Sequence, residues 1–371
     1  MDKNPEKEKT NGKEAPAPPL KTRTEGSGIL YVGIDLGTSR TSIASSNGVR
    51  ETVLSMVGWP KDAISRKLLQ KEILFGNDVL NNRLSLNYCR PFEKGVIKYT
   101  DIKDSKISDE EVEMHKKAAK ELVKHAISIA NPPKGVLVYG VLGTPAQASM
   151  LNKQSLIEAA KEALDAVMIV SEPFAVAYGL NLLEDTLVVD IGAGTTDLCR
   201  MHGTMPEKDD QITFGYAGDN IDEMLYNSIL KRHPDVQLTI NMAKQLKEKF
   251  GFVSETTDAA IPKLLIAGKP TPVNITEELK EACKSIVPGI LESAQKLIAT
   301  FDPEFQHRLR NNIMLAGGGS QMKGLDWLIE KGMEEYGGAK VNRVDEPVYA
   351  GANGALKLAY DMPEEFWEEL R

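Results

Sequence analysis

Short apolar runs alternate with stretches of helical spacing from residue 29 to the end of the chain. Four of these runs are rich in β-branched residues and predict buried strands; they cover residues 29–35, 135–142, 186–191 and 312–315. Strands that alternate with helices in this way are typical of an α/β protein. We therefore predict an α/β fold.

The stretches between the strands predict helices that pack through one apolar face. Apolar residues recur at helical spacing over residues 112–130 and again over residues 156–167. Ser155 and Glu158 stand at the start of the second stretch and predict a capping box. A long helix is predicted from residue 277 to residue 299, with a bend at its internal proline.

The first 28 residues differ from the rest of the chain. They mix Lys, Glu, Pro, Gly and Thr and contain almost nothing apolar, so ordering them would cost entropy without burying apolar surface. We predict a disordered tail over residues 1–28, which serves as a flexible spacer or as an arm that binds a partner. The tail has no amphipathic pattern that would predict a transit peptide or a membrane-binding helix.

Composition excludes several classes of function. The chain has 371 residues and a net charge of −8, and without a strong positive field we expect no binding to nucleic acid. Its three cysteines lack metal-binding spacing and are expected to be free thiols. No apolar run approaches the roughly 20 residues that span a bilayer, and no secretory signal is present, so we expect a cytoplasmic protein.

An internal repeat is the most informative feature of the sequence. Residues 29–41 and 186–196 each form an apolar run that ends in Asp, an aliphatic residue and Gly, followed by small and hydroxyl residues. The two aspartates, Asp35 and Asp190, are 155 positions apart, which is the length of one domain. The repeat predicts a duplicated fold in which two equivalent turns face each other across a cleft.

These two turns have the chemistry of a phosphate-binding site, because glycines let the backbone approach an anion and hydroxyl groups donate hydrogen bonds. The residues assigned to phosphate binding on this basis are Gly37, Thr38, Ser39, Gly192, Gly194, Thr195 and Thr196. Neither turn has the lysine of a P-loop, so we expect a divalent cation to balance the phosphate charge. Asp35 and Asp190 are predicted to hold Mg²⁺, largely through its water shell.

A third glycine-rich turn follows the predicted strand 312–315. The glycines that leave room there for a base or a ribose are Gly317, Gly318 and Gly319. Ser320 is predicted to cap the helix that comes next. A run of three glycines is weak evidence alone, but after two aspartate-glycine turns it favours a nucleoside phosphate as the ligand.

Taken together, the motifs resemble the superfamily of actins, sugar kinases and heat-shock ATPases. Two phosphate motifs, an adenosine motif and two connecting motifs occur in the order of that superfamily, at residues 33–44, 171–180, 188–199, 314–325 and 347–359. The resemblance implies an actin-like, duplicated ribonuclease-H-like fold, whose two halves flank a nucleotide cleft and each carry a smaller inserted subdomain. It also implies ATP or ADP and Mg²⁺ as ligands.

The actin-like organisation implies four subdomains after the tail, two of them insertions. The segments assigned to them are 29–56, 109–179 and 346–371 for subdomain IA, 57–108 for subdomain IB, 180–220 and 276–345 for subdomain IIA, and 221–275 for subdomain IIB.

Within the superfamily the sequence is most similar to bacterial actins of the MreB type and, among these, to magnetosome filament proteins; segments 58–62, 216–222, 231–234 and 267–270 carry the second likeness. The resemblance implies an ATPase that makes ADP and phosphate, associates with itself head to tail into cytoskeletal filaments, and organises or positions magnetosomes, with magnetosome-associated adaptor proteins as further partners. A cell-shape actin of the MreB type stays an alternative. A small-molecule kinase and a heat-shock-type ATPase fit the sequence less well.

The resemblance also assigns roles to single residues. Glu172 falls where bacterial actins have a glutamate that orients the attacking water, and Asp190 is assigned to catalysis as well as to the metal. Lys247 and Glu248 resemble the segment that borders the ribose, and Gly218 is expected to line the cleft beside them. The alternatives are a helix-entry glutamate for Glu172 and a solvated helix face for the Lys247 and Glu248 pair.

Two segments depart from the family pattern. Ser39 and Arg40 follow Thr38 where eukaryotic actin has a lysine, so no phosphate-binding lysine is assigned in this turn. Residues 131–134 are polar, whereas membrane-bound MreB proteins have an apolar pair in the corresponding loop. We therefore expect no direct binding to a membrane.

Overall fold

The computed structural model describes residues 28–100, 107–255 and 259–371. The predicted tail, apart from Gly28, lies outside these residues, as do residues 101–106 of the segment predicted as subdomain IB and residues 256–258 of the segment predicted as subdomain IIB. Within the described ranges, no helix is both long enough and apolar enough to cross a bilayer. The subdomain limits stay a prediction.

The first large sheet has five strands. They are β1 (Ile29–Leu36), β2 (Arg40–Ser45), β3 (Arg50–Leu54), β9 (Leu137–Thr144) and β10 (Ala166–Ser171). Their order across the sheet is β10-β9-β1-β2-β3. β1 is antiparallel to β2 and parallel to β9, and it is apolar along nearly its whole length because both faces of the sheet are covered.

The second large sheet repeats this arrangement. Its strands are β11 (Thr186–Ile191), β12 (Thr196–Met201), β13 (Gln211–Phe214), β17 (Ile313–Ala316) and β18 (Val341–Arg343). Their order is β13-β12-β11-β17-β18, with β11 antiparallel to β12 and parallel to β17. β11 therefore takes the place of β1, and the predicted duplication is confirmed.

Smaller sheets occupy an insertion in each half. The first insertion, residues 57–97, contains β4 (Val57–Pro60), β5 (Leu74–Phe75), β6 (Leu86–Cys89), β7 (Phe92–Glu93) and β8 (Val96–Ile97). The second half has β14 (Val236–Gln237), β15 (Lys263–Ile266) and β16 (Lys269–Pro272). β7 and β8 form a hairpin of their own.

Helices cover the sheets and complete the insertions. In the first half they are α1 (Ala63–Leu69), α2 (Gly76–Asn82), α3 (Asp109–Ile129), α4 (Met150–Ala160) and α5 (Glu172–Leu180). Those of the second half are α6 (Gly218–Arg232), α7 (Ile240–Phe250), α8 (Thr276–Lys284), α9 (Val287–Ala299), α10 (Gln306–Arg310) and α11 (Leu325–Gly332). The chain then returns to the first half through α12 (Ala350–Asp361) and α13 (Glu364–Glu369).

Two of these helices join the halves. α5 and α12 pack against each other in an apolar cluster that draws on both large sheets, with Tyr139 from β9 and Val188 from β11. They cross at small residues: a Cβ built on Gly354 would lie 1.7 Å from the carbonyl oxygen of Ala175. Only glycine permits this approach, so Gly354 sets the distance between the two connecting helices.

Two helix predictions are wrong in detail. The segment predicted as one bent helix is two helices, α8 and α9, because Pro288 stands in the first turn of α9, where its missing N–H costs no hydrogen bond. The predicted capping box at Ser155 and Glu158 does not start a helix. α4 begins before it and is capped by Ser149, whose hydroxyl oxygen accepts the amide hydrogen of Asn152.

Candidate functional site

The ends of β1 and β11 meet at a cleft between the two large sheets. Asp35 lies near the end of β1 and Asp190 near the end of β11, and both line one cavity of about 340 Å³. The turns that follow the two strands border the same cavity, as does the third glycine-rich turn after β17. The three turns singled out in the sequence therefore enclose a single space.

Most residues assigned to the site line this cavity. They are Asp35, Gly37, Thr38, Ser39, Glu172, Asp190, Gly192, Gly194, Thr195, Gly218, Lys247, Glu248, Gly317, Gly318 and Gly319. Thr196 and Ser320 are buried beside the cavity and do not line it.

The hydroxyls of Thr196 and Ser320 both donate to backbone carbonyl oxygens. The Thr196 hydroxyl donates to the carbonyl oxygen of Tyr216 at 3.1 Å, and the Ser320 hydroxyl donates to that of Gly317 at 2.8 Å. The next helix, α11, follows Gly324, so Ser320 does not cap it. The predicted capping role is wrong, because Ser320 lies inside a 3₁₀ turn, Gly318–Gln321, that ends before that helix begins.

One glycine of the third turn is required by its surroundings. Gly317 has a φ of +73°, a region that favours glycine, and a Cβ there would lie 2.2 Å from Oδ1 of Asp190. A side chain at this position would displace the carboxylate that ends β11. The glycine turn and the second aspartate turn therefore form one unit.

The carboxyl groups of the cavity repel one another. Glu172 and Asp190 are 9% and 7% exposed, and burial, followed by the charges of neighbouring acids, raises both pKa values well above the usual range. Burial and the charge of Asp197 raise the pKa of Asp35 to about 7. A cluster of this kind is stabilised by protons or by a cation.

Glu172 occupies a position that fits both interpretations of the sequence. It is the first residue of α5, directly before Pro173, and so it is a helix-entry glutamate. It also lines the cavity together with Asp35 and Asp190. Its charge interacts with both aspartates, and the structure therefore brings the three acidic groups together.

Asp197 is an acidic residue of this region that the sequence analysis missed. It lies on β12, is 1% exposed, and accepts hydrogen bonds from the amide of Ala146 and the hydroxyl of Thr213. Burial raises its pKa. The sequence did contain a sign of this position. Asp197 comes seven residues after Asp190, and two antiparallel strands joined by this short turn place those two residues opposite each other.

The donor set fits a hydrated magnesium ion. Among the described residues, no three acidic, histidine or cysteine side chains converge closely enough to bind a metal directly, and no described lysine, arginine or histidine forms an ion pair with Asp35, Glu172 or Asp190. These carboxylates line the cavity at separate points and are not paired with any described basic side chain. That arrangement suits a metal ion that keeps several of its water ligands.

A buried ion pair holds Lys247 at the cavity. Its ammonium lies 2.7 Å from Oδ1 of Asp222 in an ion pair and donates a hydrogen bond to the carbonyl oxygen of Gly218, also at 2.7 Å. Asp222 is 2% exposed, and burial raises its pKa to about 6 despite the opposing effect of Lys247. Glu248 is exposed and pairs with Arg40 at 3.1 Å, so the alternative of a solvated helix face does not describe Lys247 but still fits Glu248.

Several contacts cross the cleft. Arg90 of the first half pairs with Asp219 of the second at 3.0 Å. Lys244 of α7 donates to the hydroxyl of Ser39 in the turn that follows β1. Sequence reasoning missed Lys244, which lines the cavity and whose pKa is lowered by burial. Its ammonium group brings a positive charge to the first turn from the opposite half. A search for a lysine within the turn itself therefore could not find it.

The tip of the β7–β8 hairpin packs against the turn that follows β1. The amide of Gly95 donates to the hydroxyl of Thr38 at 2.8 Å. The backbone of Lys94, at the same tip, lies against Gly194 of the second turn. The tip therefore contacts the turns that follow β1 and β11 in both halves.

The sequence matches the family described as MreB/Mbl protein over residues 30–365. It is 40% identical over 341 residues to the actin-like protein MamK of Paramagnetospirillum magneticum, covering 92% of this chain and 95% of the relative. A MamK-like protein of the same organism is 33% identical over 342 residues, covering 92% of this chain and 98% of the relative.

Solved structures give the same relationship. A structure described as a MamK double helical filament has a TM-score of 0.84 at 40% identity and covers 90% of this chain and 100% of that one. A non-polymerising MamK mutant bound to AMPPNP has a TM-score of 0.68, with 90% and 99% covered. MreB5 of Spiroplasma citri bound to ADP has a TM-score of 0.70 at 20% identity, with 88% and 94% covered, which shows the fold alone. The predicted actin-like fold is confirmed.

Proposed function

Because the chain belongs to the MreB/Mbl family of actin-like proteins, we propose that it is a MamK-type ATPase, which hydrolyses ATP to ADP and phosphate and assembles head to tail into cytoplasmic filaments. These filaments organise or position magnetosomes, with magnetosome-associated adaptor proteins as further partners. A relative described as a double helical filament, at 40% identity over nearly its whole length, supports this assignment over a cell-shape actin of the MreB type.

One observation carries the nucleotide assignment: two aspartate-glycine turns and a triple-glycine turn line one cavity of about 340 Å³. The volume falls within the range of small-molecule sites. The first two turns present backbone amides and hydroxyls to the phosphates. The third leaves a flat, open wall for the adenosine, and Lys247 and Glu248 border the ribose.

Mg²⁺ fits the acidic side of the cavity, held through its waters by Asp35 and Asp190. When bound, the cation neutralises phosphate charge and the repulsion among the buried carboxylates. Glu172 then acts as a hydrogen-bond acceptor that orients a water toward the terminal phosphate, since phosphoryl transfer depends mainly on positioning and charge stabilisation. Lys244 adds a positive charge beside Ser39.

Nucleotide binding is coupled to the relative position of the halves. A bound nucleotide touches turns from both sheets, while Arg90 and Asp219 already pair across the opening. Loss of the terminal phosphate removes contacts that only the triphosphate makes, which shifts the balance between closed and open forms. The surfaces at the two ends of the subunit, through which copies join into a filament, move together with the halves.

High-speed sedimentation and electron microscopy of the purified chain test this proposal. With Mg-ATP, we expect the protein to pellet and to show filaments. Without nucleotide, it should pellet much less. A chain that turns over ATP but stays in the supernatant across salt, pH and concentration would contradict the cytoskeletal function.

A further inference from the structure

The basic side chains that line the nucleotide cavity differ in how far their charges are neutralised. Among the described residues, these side chains are Arg40, Lys244 and Lys247. Lys247 lies 2.7 Å from Oδ1 of the buried Asp222. Arg40 pairs with Glu248 at 3.1 Å, whereas Lys244 comes no closer than 4.0 Å to the same carboxylate. Of these three cations, Lys244 is therefore the one without a close carboxylate partner.

The ammonium of Lys244 is also shielded from water. Only 18% of its side chain is exposed, and its Nζ donates to the hydroxyl of Ser39, which is a neutral group. Burial lowers the pKa of this lysine, and the charge of Glu248 opposes that effect only in part. A cation that has lost much of its water without gaining a close anion is stabilised by an anionic ligand bound at the same place.

Lys244 lies between the part of the cavity assigned to the ribose and the part assigned to the phosphates. On α7 it comes three and four residues before Lys247 and Glu248, so these side chains share one face of the helix. Its contact with Ser39 brings its ammonium to the turn that follows β1. The phosphates next to the ribose are the ones that pass this point.

Lys244 and Glu172 lie in different electrostatic surroundings. Besides burial, the charges that affect the pKa of Lys244 come from residues around the opening of the cleft: Glu248, Arg90, Arg40 and Asp219. Besides burial, the charges that raise the pKa of Glu172 come from the acidic cluster: Asp35, Asp197 and Asp190. Lys244 is therefore away from the terminal phosphate, where Glu172 is proposed to orient the attacking water.

We propose that Lys244 binds the non-terminal phosphates, which ATP and ADP share, and makes the cavity selective for nucleotides with at least two phosphates. This role rests on the nucleotide-binding function proposed above and assigns a specificity-determining residue to it. Lys244 belongs to the second half and Ser39 to the first, so a phosphate held between them ties the halves together with either nucleotide. Because the contact exists before the reaction starts, Lys244 contributes to affinity and not to the rate of the chemical step.

Lys244→Met tests this division of roles, since methionine keeps an unbranched apolar side chain and removes the charge. The KM for ATP in phosphate release should rise at least about tenfold, while kcat should stay within about twofold of the parent. Lys244→Arg keeps the charge and should recover most of the affinity. Lys249→Met, at an exposed position of the same helix, is the matched control and should behave like the parent.

Binding of three ligands tests the selectivity. Competition against a fluorescent ATP analogue gives the affinities for ATP, ADP and adenosine. In Lys244→Met, ATP and ADP should each bind at least about tenfold more weakly and by the same factor, because both carry the two phosphates that the ammonium contacts. Adenosine should bind as tightly as it binds to the parent. A purely structural role of Lys244 would weaken the binding of all three ligands.

Pelleting gives a second readout of the same contact. The ATP concentration that gives half-maximal pelleting of Lys244→Met should rise by the same factor as its KM, and saturating ATP should restore the pelleting of the parent. The substitution removes a poorly hydrated charge and leaves no buried carboxylate without a partner, so the melting temperature without nucleotide should not fall. Recovery at saturating ATP also shows that the variant is folded.

The outcomes separate the two proposals. A parent chain that binds no ATP would overturn the nucleotide-binding function, and the role of Lys244 with it. A parent that binds ATP while Lys244→Met binds ATP and ADP equally well would overturn the role of Lys244 alone. A loss for ATP without a loss for ADP would place the lysine at the terminal phosphate, and an equal loss for adenosine would make its role structural. Either result would likewise overturn the proposal.

Discussion

Asp190 and Asp197 lie directly opposite each other on the antiparallel strands β11 and β12. In the first half, the same position of the register pairs Asp35 with Ser42. The two halves therefore share a fold and differ in charge at equivalent sites. The acidic cluster at the cleft therefore draws on both halves, with Asp35 and Glu172 from the first and Asp190 and Asp197 from the second.

This arrangement predicts a pH dependence for the nucleotide-free protein. The folded-state pKa of Asp35 is raised to about 7, and those of Glu172 and Asp190 are also raised, so between about pH 4 and pH 7 the folded state binds more protons than the unfolded state. The free energy of unfolding should fall as pH rises through that window. Thermal unfolding at pH 5.5 and pH 8 measures the effect.

Two controls sharpen this measurement. Asp190→Asn removes one buried charge and should reduce the difference in melting temperature between the two pH values. Saturating Mg-ATP should reduce it as well, because a cation takes the place of the protons. A pH dependence that is unchanged in both cases would mean that the carboxyl cluster is not its source.

Gly354→Ala should destabilise the fold by about 2 kcal/mol or more, since the added Cβ would lie 1.7 Å from the carbonyl oxygen of Ala175 and would push α5 and α12 apart. Chemical denaturation measures the free energy of unfolding. Asn353→Ala, at the partly exposed neighbouring position, is the matched control and should cost little. Equal stabilities for the two variants would contradict the close crossing.

Lys247→Ala should weaken ATP binding about tenfold, because it removes a charge-assisted donor at the cavity and leaves the buried carboxylate of Asp222 without its partner. Titration of a fluorescent ATP analogue gives the affinity. Lys249→Ala, in the same helix and exposed, controls for the loss of one positive charge. If both variants bind the ATP analogue equally well, Lys247 does not contribute to nucleotide binding.

The local parts of this site could be predicted from the sequence. An apolar run that ends in Asp, an aliphatic residue and Gly indicates a strand and its turn within a dozen residues, so Asp35 and Asp190 were found without knowledge of the fold. The triple-glycine turn was found in the same way, directly after an apolar run. Their order then indicated the superfamily. Thr196 and Ser320 were assigned by the same logic, but a sequence does not show which hydroxyl of a turn faces inward.

The contacts between the halves could not be predicted. Lys244 and Ser39 are 205 residues apart, and Arg90 and Asp219 are 129 apart. Their meeting depends on how two separately folded sheets face each other, which no local pattern records. The boundary between α8 and α9 was missed for a related reason: one apolar face continues across the break, so periodicity alone joins the two helices.

The most direct test of the central claim measures phosphate release and pelleting in the same samples. Parent protein with Mg-ATP should form filaments and release phosphate. Glu172→Ala should still bind ATP and pellet but should release phosphate at least about a hundredfold more slowly, because it lacks the group that orients the water. Glu292→Ala, an exposed glutamate on α9, should behave like the parent. Unchanged phosphate release in Glu172→Ala would contradict the proposed mechanism, and parent protein that neither pellets nor releases phosphate would contradict the account as a whole.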